Sequence, residues 1–267
     1  MIHQLNMYGK DKVQVAIDRL RTFEPPEGYY LAFSGGKDSV VIKAPDMAGV
    51  KYDAHFMHTS VEHPEVIWFT RQYHPDVVIE FPRDKDGNRI TMWNLIQKRK
   101  MPPTRIARYC CETLKEHGGS GRFTVTGVRW AESARRRQTR TGLEIDNGSK
   151  QRDRYDPDNP DNETLARFCP TKGGHILNPI IDWTDDDVWE FIKEYNIPYC
   201  KLYDEGWKRL GCIGCPMSYH QAEELERYPK YKRAYIKAFE KMLGRLTDKS
   251  MIKWQSGQDV YDWWISK

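Results

Sequence analysis

The chain has 267 residues, 39% hydrophobic, 30% charged and 12% aromatic, enough apolar material for a real core and against wholesale disorder. Mean hydropathy is −0.78, no apolar stretch approaches the ~20 residues of a spanning helix, and a net charge of +4 is too mild to argue for nucleic acid. The N-terminus lacks the basic-then-apolar layout of a secretory signal, so a cytoplasmic location is expected, without membrane association; there the six cysteines stay reduced and their clustering points to metal or chemistry.

In chain order, Val13, Val15, Ala16, Ile17 and Leu20 predict an amphipathic helix that Pro25 and Pro26 end. Residues 29–33 read as a short buried strand, followed at once by Ser34-Gly35-Gly36-Lys37-Asp38-Ser39 and a helix that Pro45 kinks or shortens. Strands are expected at 53–57, 77–81, 124–128 and 176–181, with a helix at 64–73. Residues 146–161 are poor in apolar side chains and read as a surface excursion with the character of a lid. Thr184 caps a helix that runs to Pro198, with Asp185, Asp186 and Asp187 set against its dipole. A charged, Tyr-rich helix at 221–243, despite Pro229, and a short one at 258–265 complete the pattern.

Strands alternating with helices imply an α/β fold with a doubly wound, mainly parallel sheet and a helical C-terminal part. The organisation read from this is a helical leader at 1–28, a nucleotide-binding α/β domain at 29–183, and a helical subdomain at 184–267 packed on it.

The Ser34–Ser39 loop has a physical logic when it leaves a strand and opens a helix. Gly35 and Gly36 let backbone N–H groups approach phosphate oxygens, and Lys37 adds a point charge. Ser34 and Ser39 add hydroxyl donors, and Asp38 can hold an Mg²⁺ that bridges phosphates. An ordinary Gly-Gly turn seldom combines these residue types, and the spacing is not that of a Walker loop.

At these residues the chain resembles the N-type ATP pyrophosphatases, and within them the phosphoadenosine phosphosulfate (PAPS) reductase superfamily. Thr59 with His63-Pro64-Glu65 is similar to the superfamily's Asp-Thr…Phe-Pro-Glu segment, with His58 in place of Asp. Gly127-Val128-Arg129 with Ser133 and Arg136 resembles its Gly-x-Arg…Ser…Arg segment. Asn178-Pro179-Ile180-Ile181-Asp182-Trp183-Thr184 with Asp187-Val188-Trp189 resembles its Pro-Leu-x-Asp-Trp-Thr signature, and 197–212 continues the likeness. The resemblance spans about residues 29–216 and is specific as a set. It implies an adenine nucleotide alpha hydrolase-like fold and ATP cleaved between its α and β phosphates. The implied nucleotide-binding residues are Ser34, Gly35, Gly36, Lys37, Asp38, Ser39, His58, Thr59, Gly127 and Arg129, with Lys37, Asp38 and Arg129 catalytic.

Cys110-Cys111 and the C-x-x-C pair Cys212 and Cys215 are four thiols, which suffice for an iron–sulfur cluster or a tetrahedral zinc. Spacing alone leaves both open, along with plain buried thiols. An adjacent pair plus a distant C-x-x-C resembles the [4Fe–4S] pattern of assimilatory adenylyl-sulfate reductases. Such a centre would tie the middle of the sheet to the C-terminal third. Cys169 and Cys200 read as small buried apolar residues, with a sulfur-carrying role as the alternative.

Arg129, Arg135, Arg136, Arg137 and Arg140 form an arginine-rich segment, read as an anion site or a solvated basic loop. Trp254, Trp263 and Trp264 read as packing.

The leading functional reading is an ATP-using enzyme that adenylylates an acceptor and supports sulfur transfer with a [4Fe–4S] cluster. Its partners would be an adenine nucleotide, an acceptor (nucleic acid or small molecule) and a sulfur-donor protein. A sulfonucleotide reductase is the alternative, and a non-catalytic nucleotide- or redox-sensing protein is a third. Reductases of the superfamily carry their nucleophile in a Glu-Cys-Gly-Ile-His segment near the C-terminus. Here no cysteine follows Cys215 within the sequence, so sulfite release is not expected.

Overall fold

The computed structural model describes residues 9–43, 48–116, 118–146, 152–159, 161–162, 174–246 and 254–266. Contacts group the chain into two units whose segments alternate along the sequence. Residues 1–56, 68–78 and 118–208 form the first, and 57–67, 79–117 and 209–267 the second. These segments are not consecutive in sequence, because a core is shared by distant stretches that a pattern read along the chain cannot pair.

The first unit is built on the sheet. The strands are β1 (Tyr29–Ala32), β2 (Tyr52–Met57), β3 (Val78–Glu80), β4 (Thr124–Val125), β5 (Leu143–Ile145), β6 (Asp153–Tyr155) and β7 (His175–Leu177), of which only Met57, Ile79 and Glu80 are counted with the second unit. Their order across the sheet is β3-β2-β1-β4-β7-β5-β6. β1 pairs in parallel with β2 and β4, and β4 with β7. The central β1 is a continuous apolar run because a parallel strand is covered on both faces, and Tyr29, Tyr30 and Leu31 are all buried.

Two features differ from the sequence reading. β5 runs antiparallel to both β7 and β6, so one edge of the sheet is antiparallel. β6 also lies inside the segment expected as an excursion: Asp153, Arg154 and Tyr155 pair with Ile145, Glu144 and Leu143. An exposed edge strand needs no apolar alternation, which is why its polar composition concealed it. The adjoining residues 147–151 lie outside the described residues, as do Pro45 and Cys169. The expected strand at 176–181 stops at Leu177; 178–183 turn instead, with Ile181 N–H donating to Asn178 O at 3.2 Å and Trp183 N–H to Ile180 O at 3.1 Å.

Four helices of this unit follow from local chemistry: α1 (Lys12–Thr22), α2 (Lys37–Ile42), α6 (Ala134–Thr139) and α7 (Asp185–Glu194). Asp11 caps α1 through Val13 N–H at 2.8 Å. Thr184 and Asp187 form a reciprocal capping box on α7, and α3 (Pro64–Tyr73) begins at its proline as the sequence indicates.

The second unit is helical: α4 (Met92–Arg99), α5 (Tyr109–Leu114), α8 (Gln221–Arg227), α9 (Pro229–Gly244) and α10 (Gly257–Ile265). The expected single helix over 221–243 is two, because Pro229 lacks the N–H that would continue the first and so starts the second. Their shared core includes Ile96, Leu114, Ile213, Leu225, Phe239, Val260 and Trp264, and Trp254 and Trp263 pack against it. No helix among the described residues is long and apolar enough to cross a membrane.

Candidate functional site

In a sheet where β1 is followed outward by β2 on one side and β4 on the other, the strand order reverses between β1 and β4. Ligands of open α/β sheets sit beyond the carboxyl ends of the strands at that switch. Three segments leave those ends: the Ser34–Ser39 loop after β1, Gly127–Arg129 after β4, and Trp183–Asp185 after β7.

The loop is held by its own side chains. Ser39 Oγ donates to Gly36 O at 2.8 Å, and Ser34 Oγ donates to Ser39 Oγ at 3.2 Å. Gly35 has φ +72°, a left-handed conformation that costs glycine nothing. The Lys37 N–H donates to Tyr203 Oη at 2.9 Å, pinning the start of α2 from across the unit.

Four charged side chains converge here. Lys37 is buried, with Nζ 3.4 Å from Asp38 and 3.1 Å from Asp185. Arg129 is 0% exposed; its Nε donates to Asp38 at 2.9 Å, one terminal nitrogen to Asp185 at 2.7 Å, and the other to Trp183 O at 3.2 Å. A buried guanidinium is tolerated only where its donors are taken up, and here a fork of two carboxylates and a carbonyl does so. Burial pushes the Asp185 carboxyl up, yet hydrogen bonds from Arg129 and Lys37 outweigh it and hold the group below the usual carboxylate range. Gly127 is required for closeness: a Cβ there would lie 2.8 Å from Asp38 O. The structure therefore gathers Ser34, Gly35, Gly36, Lys37, Asp38, Ser39, Gly127 and Arg129 in one place.

Asp185 and Tyr203 were missed by the sequence reading. Asp185 was credited only with stabilising a helix end, although its place just after a strand's carboxyl end was a usable signal. The partners of Tyr203 carry no local signal.

The neighbouring arginines divide. Arg136 pairs with Glu132 and Arg140 with the buried Glu144, whereas Arg135 and Arg137 are exposed.

His58 and Thr59 fall in the second unit. Glu80 O accepts the His58 N–H at 2.8 Å, and its ring lies 5.1 Å from that of Phe81. Thr59 is buried, bonded to Glu62 through both N–H and hydroxyl, with Oγ1 3.7 Å from Cys212 Sγ.

Cys110, Cys111, Cys212 and Cys215 also all belong to the second unit. The expectation that they tie the sheet to the C-terminal third is corrected: the segment carrying Cys110 and Cys111 packs with the C-terminal helices, not as part of the sheet unit. Cys212 is fixed by an antiparallel bridge with Glu62, and Ile213 N–H donates to Val61 O at 2.7 Å. The interaction between the Cys110 and Cys111 thiols pushes Cys110 up and Cys111 down. The Arg108 guanidinium, 3.5 Å from Cys111 Sγ, adds to that lowering. Burial pushes Cys215 up. The Lys115 ammonium reaches Cys212 and is held protonated chiefly by it. Cys212 and Cys215 add to the upward push on Cys110. Among the described residues no three His, Cys, Asp or Glu side chains are arranged to hold a single metal ion. Cys200 is buried.

Comparison with known proteins sets both sites in context. The profile of the phosphoadenosine phosphosulfate reductase domain matches residues 28–218. Two uncharacterised proteins of Methanocaldococcus jannaschii are 27% and 28% identical over 79% and 77% of this chain. The chain spans less than half of their lengths, 40% and 46%. An adenosine 5′-phosphosulfate reductase of Neisseria meningitidis is 27% identical over 44% of this chain and 41% of that protein. Among solved structures, the phosphoadenylyl-sulfate reductase of Candida auris, determined as a phosphate complex, superimposes with TM-score 0.50 at 18% identity. The alignment covers 78% of this chain and 96% of that one, a likeness of fold.

Proposed function

The chain belongs to the phosphoadenosine phosphosulfate reductase family, and from that premise we propose that it binds ATP–Mg²⁺, adenylylates an acceptor and releases pyrophosphate. The observation that carries this reading is the convergence of Lys37, Asp38, Arg129 and Asp185 around an unbroken Ser-Gly-Gly-Lys-Asp-Ser loop. In adenylyl transfer the acceptor attacks the α-phosphorus, the bond to the α–β bridging oxygen breaks, and pyrophosphate leaves with that electron pair. Negative charge grows on the leaving group, and a fixed cation beside it lowers the barrier. Lys37 suits that work, since it is buried and its ammonium pairs with the carboxylates of Asp38 and Asp185, which phosphate oxygens can replace. Arg129 holds Asp38 and Asp185 in position and is itself spent on them. Asp38 is the residue that would hold Mg²⁺, which neutralises phosphate charge when bound.

Cys110, Cys111, Cys212 and Cys215 would hold a [4Fe–4S] cluster in the second unit, supplying sulfur or electron chemistry. The donor set is all thiol, the residue type that holds such clusters, and all four cysteines lie in the one unit. A tetrahedral zinc on the same four thiols is the alternative, and iron content tells the two apart. Acceptor and sulfur donor are left as a nucleic acid or small molecule and a donor protein.

The second reading, a sulfonucleotide reductase, is favoured by the names of relatives such as the Neisseria protein. Calorimetric titration with ATP–Mg²⁺ tests the first. Lys37→Ala should weaken binding at least tenfold, and equal affinity would sink the assignment. Sulfite released from adenylyl sulfate with thioredoxin would favour the reductase.

A further inference from the structure

The second unit has a surface beside its thiols that the proposed chemistry leaves unused. Ile106 is 97% exposed and Tyr219 91%, with Met217 at 48% and Met101 at 39%. Single exposed apolar residues need no explanation. Here, however, four of the eight large exposed hydrophobics among the described residues lie on two short stretches, and those stretches form one face. Arg105 Nε donates to Pro216 O at 2.9 Å, and its guanidinium sits 5.7 Å from the Tyr219 ring centroid. The face borders the thiols: Arg108 donates to Cys111 Sγ at 3.5 Å, and Ser218 N–H donates to Cys215 O at 2.8 Å.

Its charge is mainly basic. Residues 98–111 carry Lys98, Arg99, Lys100, Arg105 and Arg108, and 209–222 carry Arg209; the nearest acids in sequence are Glu112 and Glu223, the latter paired with His220. Lys98, Arg99, Lys100, Arg105, Arg108 and Arg209 are all exposed. An apolar centre with a basic rim is complementary to an acidic surface with an apolar centre of its own. Aliphatic and thioether side chains, with one tyrosine, suit a protein better than the run of aromatics on which nucleobases stack.

We propose that this face docks a small acidic electron-carrier protein, such as a flavodoxin or ferredoxin, against the cysteine centre. The inference rests on the reading that the four cysteines hold an iron–sulfur cluster. In the transfer, the carrier's reduced flavin or iron–sulfur group gives up one electron, the centre gains it, and no bond is made or broken.

The test uses the full chain purified anaerobically, with iron measured on the sample that is titrated with oxidised flavodoxin. Binding should weaken at least tenfold when salt rises from about 0.02 M to about 0.3 M, since screening shortens the reach of the rim charges. Ile106→Glu and Tyr219→Ser should each lose at least tenfold in affinity with unchanged melting curves, and Trp68→Ser, at an exposed position of the first unit, should lose none. Iron-loaded protein that ignores flavodoxin overturns the docking and leaves the cluster reading standing. So does equal affinity in the two face variants. An oligonucleotide that binds this face in flavodoxin's stead also overturns it. Iron-free protein that binds flavodoxin through these residues supports the docking and overturns the cluster reading.

Discussion

Arg129 shows why burial and chemistry must be read together at a single residue. Its guanidinium is fully enclosed, yet each of its three donor contacts faces a group that orders the loop or α7. Lysine carries the same charge without the fork, so it cannot hold Asp38 and Asp185 at once. Arg129→Lys is expected to cost about 1–2 kcal/mol of stability from the lost charge-assisted hydrogen bonds. It should also weaken ATP–Mg²⁺ binding by more than its stability loss, because Lys37 and Asp38 lose their frame. Parallel denaturant and calorimetric titrations check both, and an unaltered nucleotide affinity would count against the frame. At this scale the sequence was informative where a residue type is chemically unusual for its place, as with Lys37, Asp38 and the four cysteines. It was silent where the role depends on a distant neighbour. Tyr203 Oη accepting the Lys37 N–H joins residues 166 apart, and nothing near Tyr203 announces it.

Among the elements, α7 links folding to the site, since its first residue, Asp185, belongs to the charge cluster. Thr184 Oγ1 accepts the Asp187 N–H at 3.1 Å, and the Asp187 carboxylate accepts the Thr184 N–H at 2.6 Å. Removing the hydroxyl in Thr184→Ala should cost ~1 kcal/mol. Fraying of the first turn should then loosen Asp185 and lower nucleotide affinity severalfold, a change that thermal melts and titration can separate. A cost in stability with no change in affinity would show that α7 does not position the site. Elements with strong caps or apolar periodicity were the most legible: α3 was read at 64–73 as it stands, and α7 begins after Thr184 as expected but ends at Glu194, short of Pro198. β4 was expected at 124–128 and stops at Val125, while β6, an exposed polar edge, has no periodicity to read. α4 and α5 escaped because their apolar faces meet partners from the C-terminal helices, such as Phe239 and Trp264, that local pattern cannot supply.

On the scale of the whole molecule, each unit holds one chemistry-bearing set: the loop and its charges in the first, the thiols in the second. If the thiols hold iron, the cluster is a cross-link between 110–111 and 212–215, and metal binding is folding energy for the second unit. Anaerobic protein should therefore contain about four irons per chain. Chelation should speed hydrogen exchange at the Ile213 amide, bonded to Val61 beside Cys212, at least tenfold. A colourless protein with one zinc, or protection at Ile213 indifferent to chelation, would contradict that account. Adenylyl transfer in the first unit is tested by the product that ATP yields. The protein is incubated with ATP labelled on the γ-phosphate, Mg²⁺, and DNA or tRNA as acceptor, and the labelled product is separated. The account predicts pyrophosphate from the native chain and none from Lys37→Ala. Label emerging as orthophosphate, or pyrophosphate released equally by the variant, would contradict it.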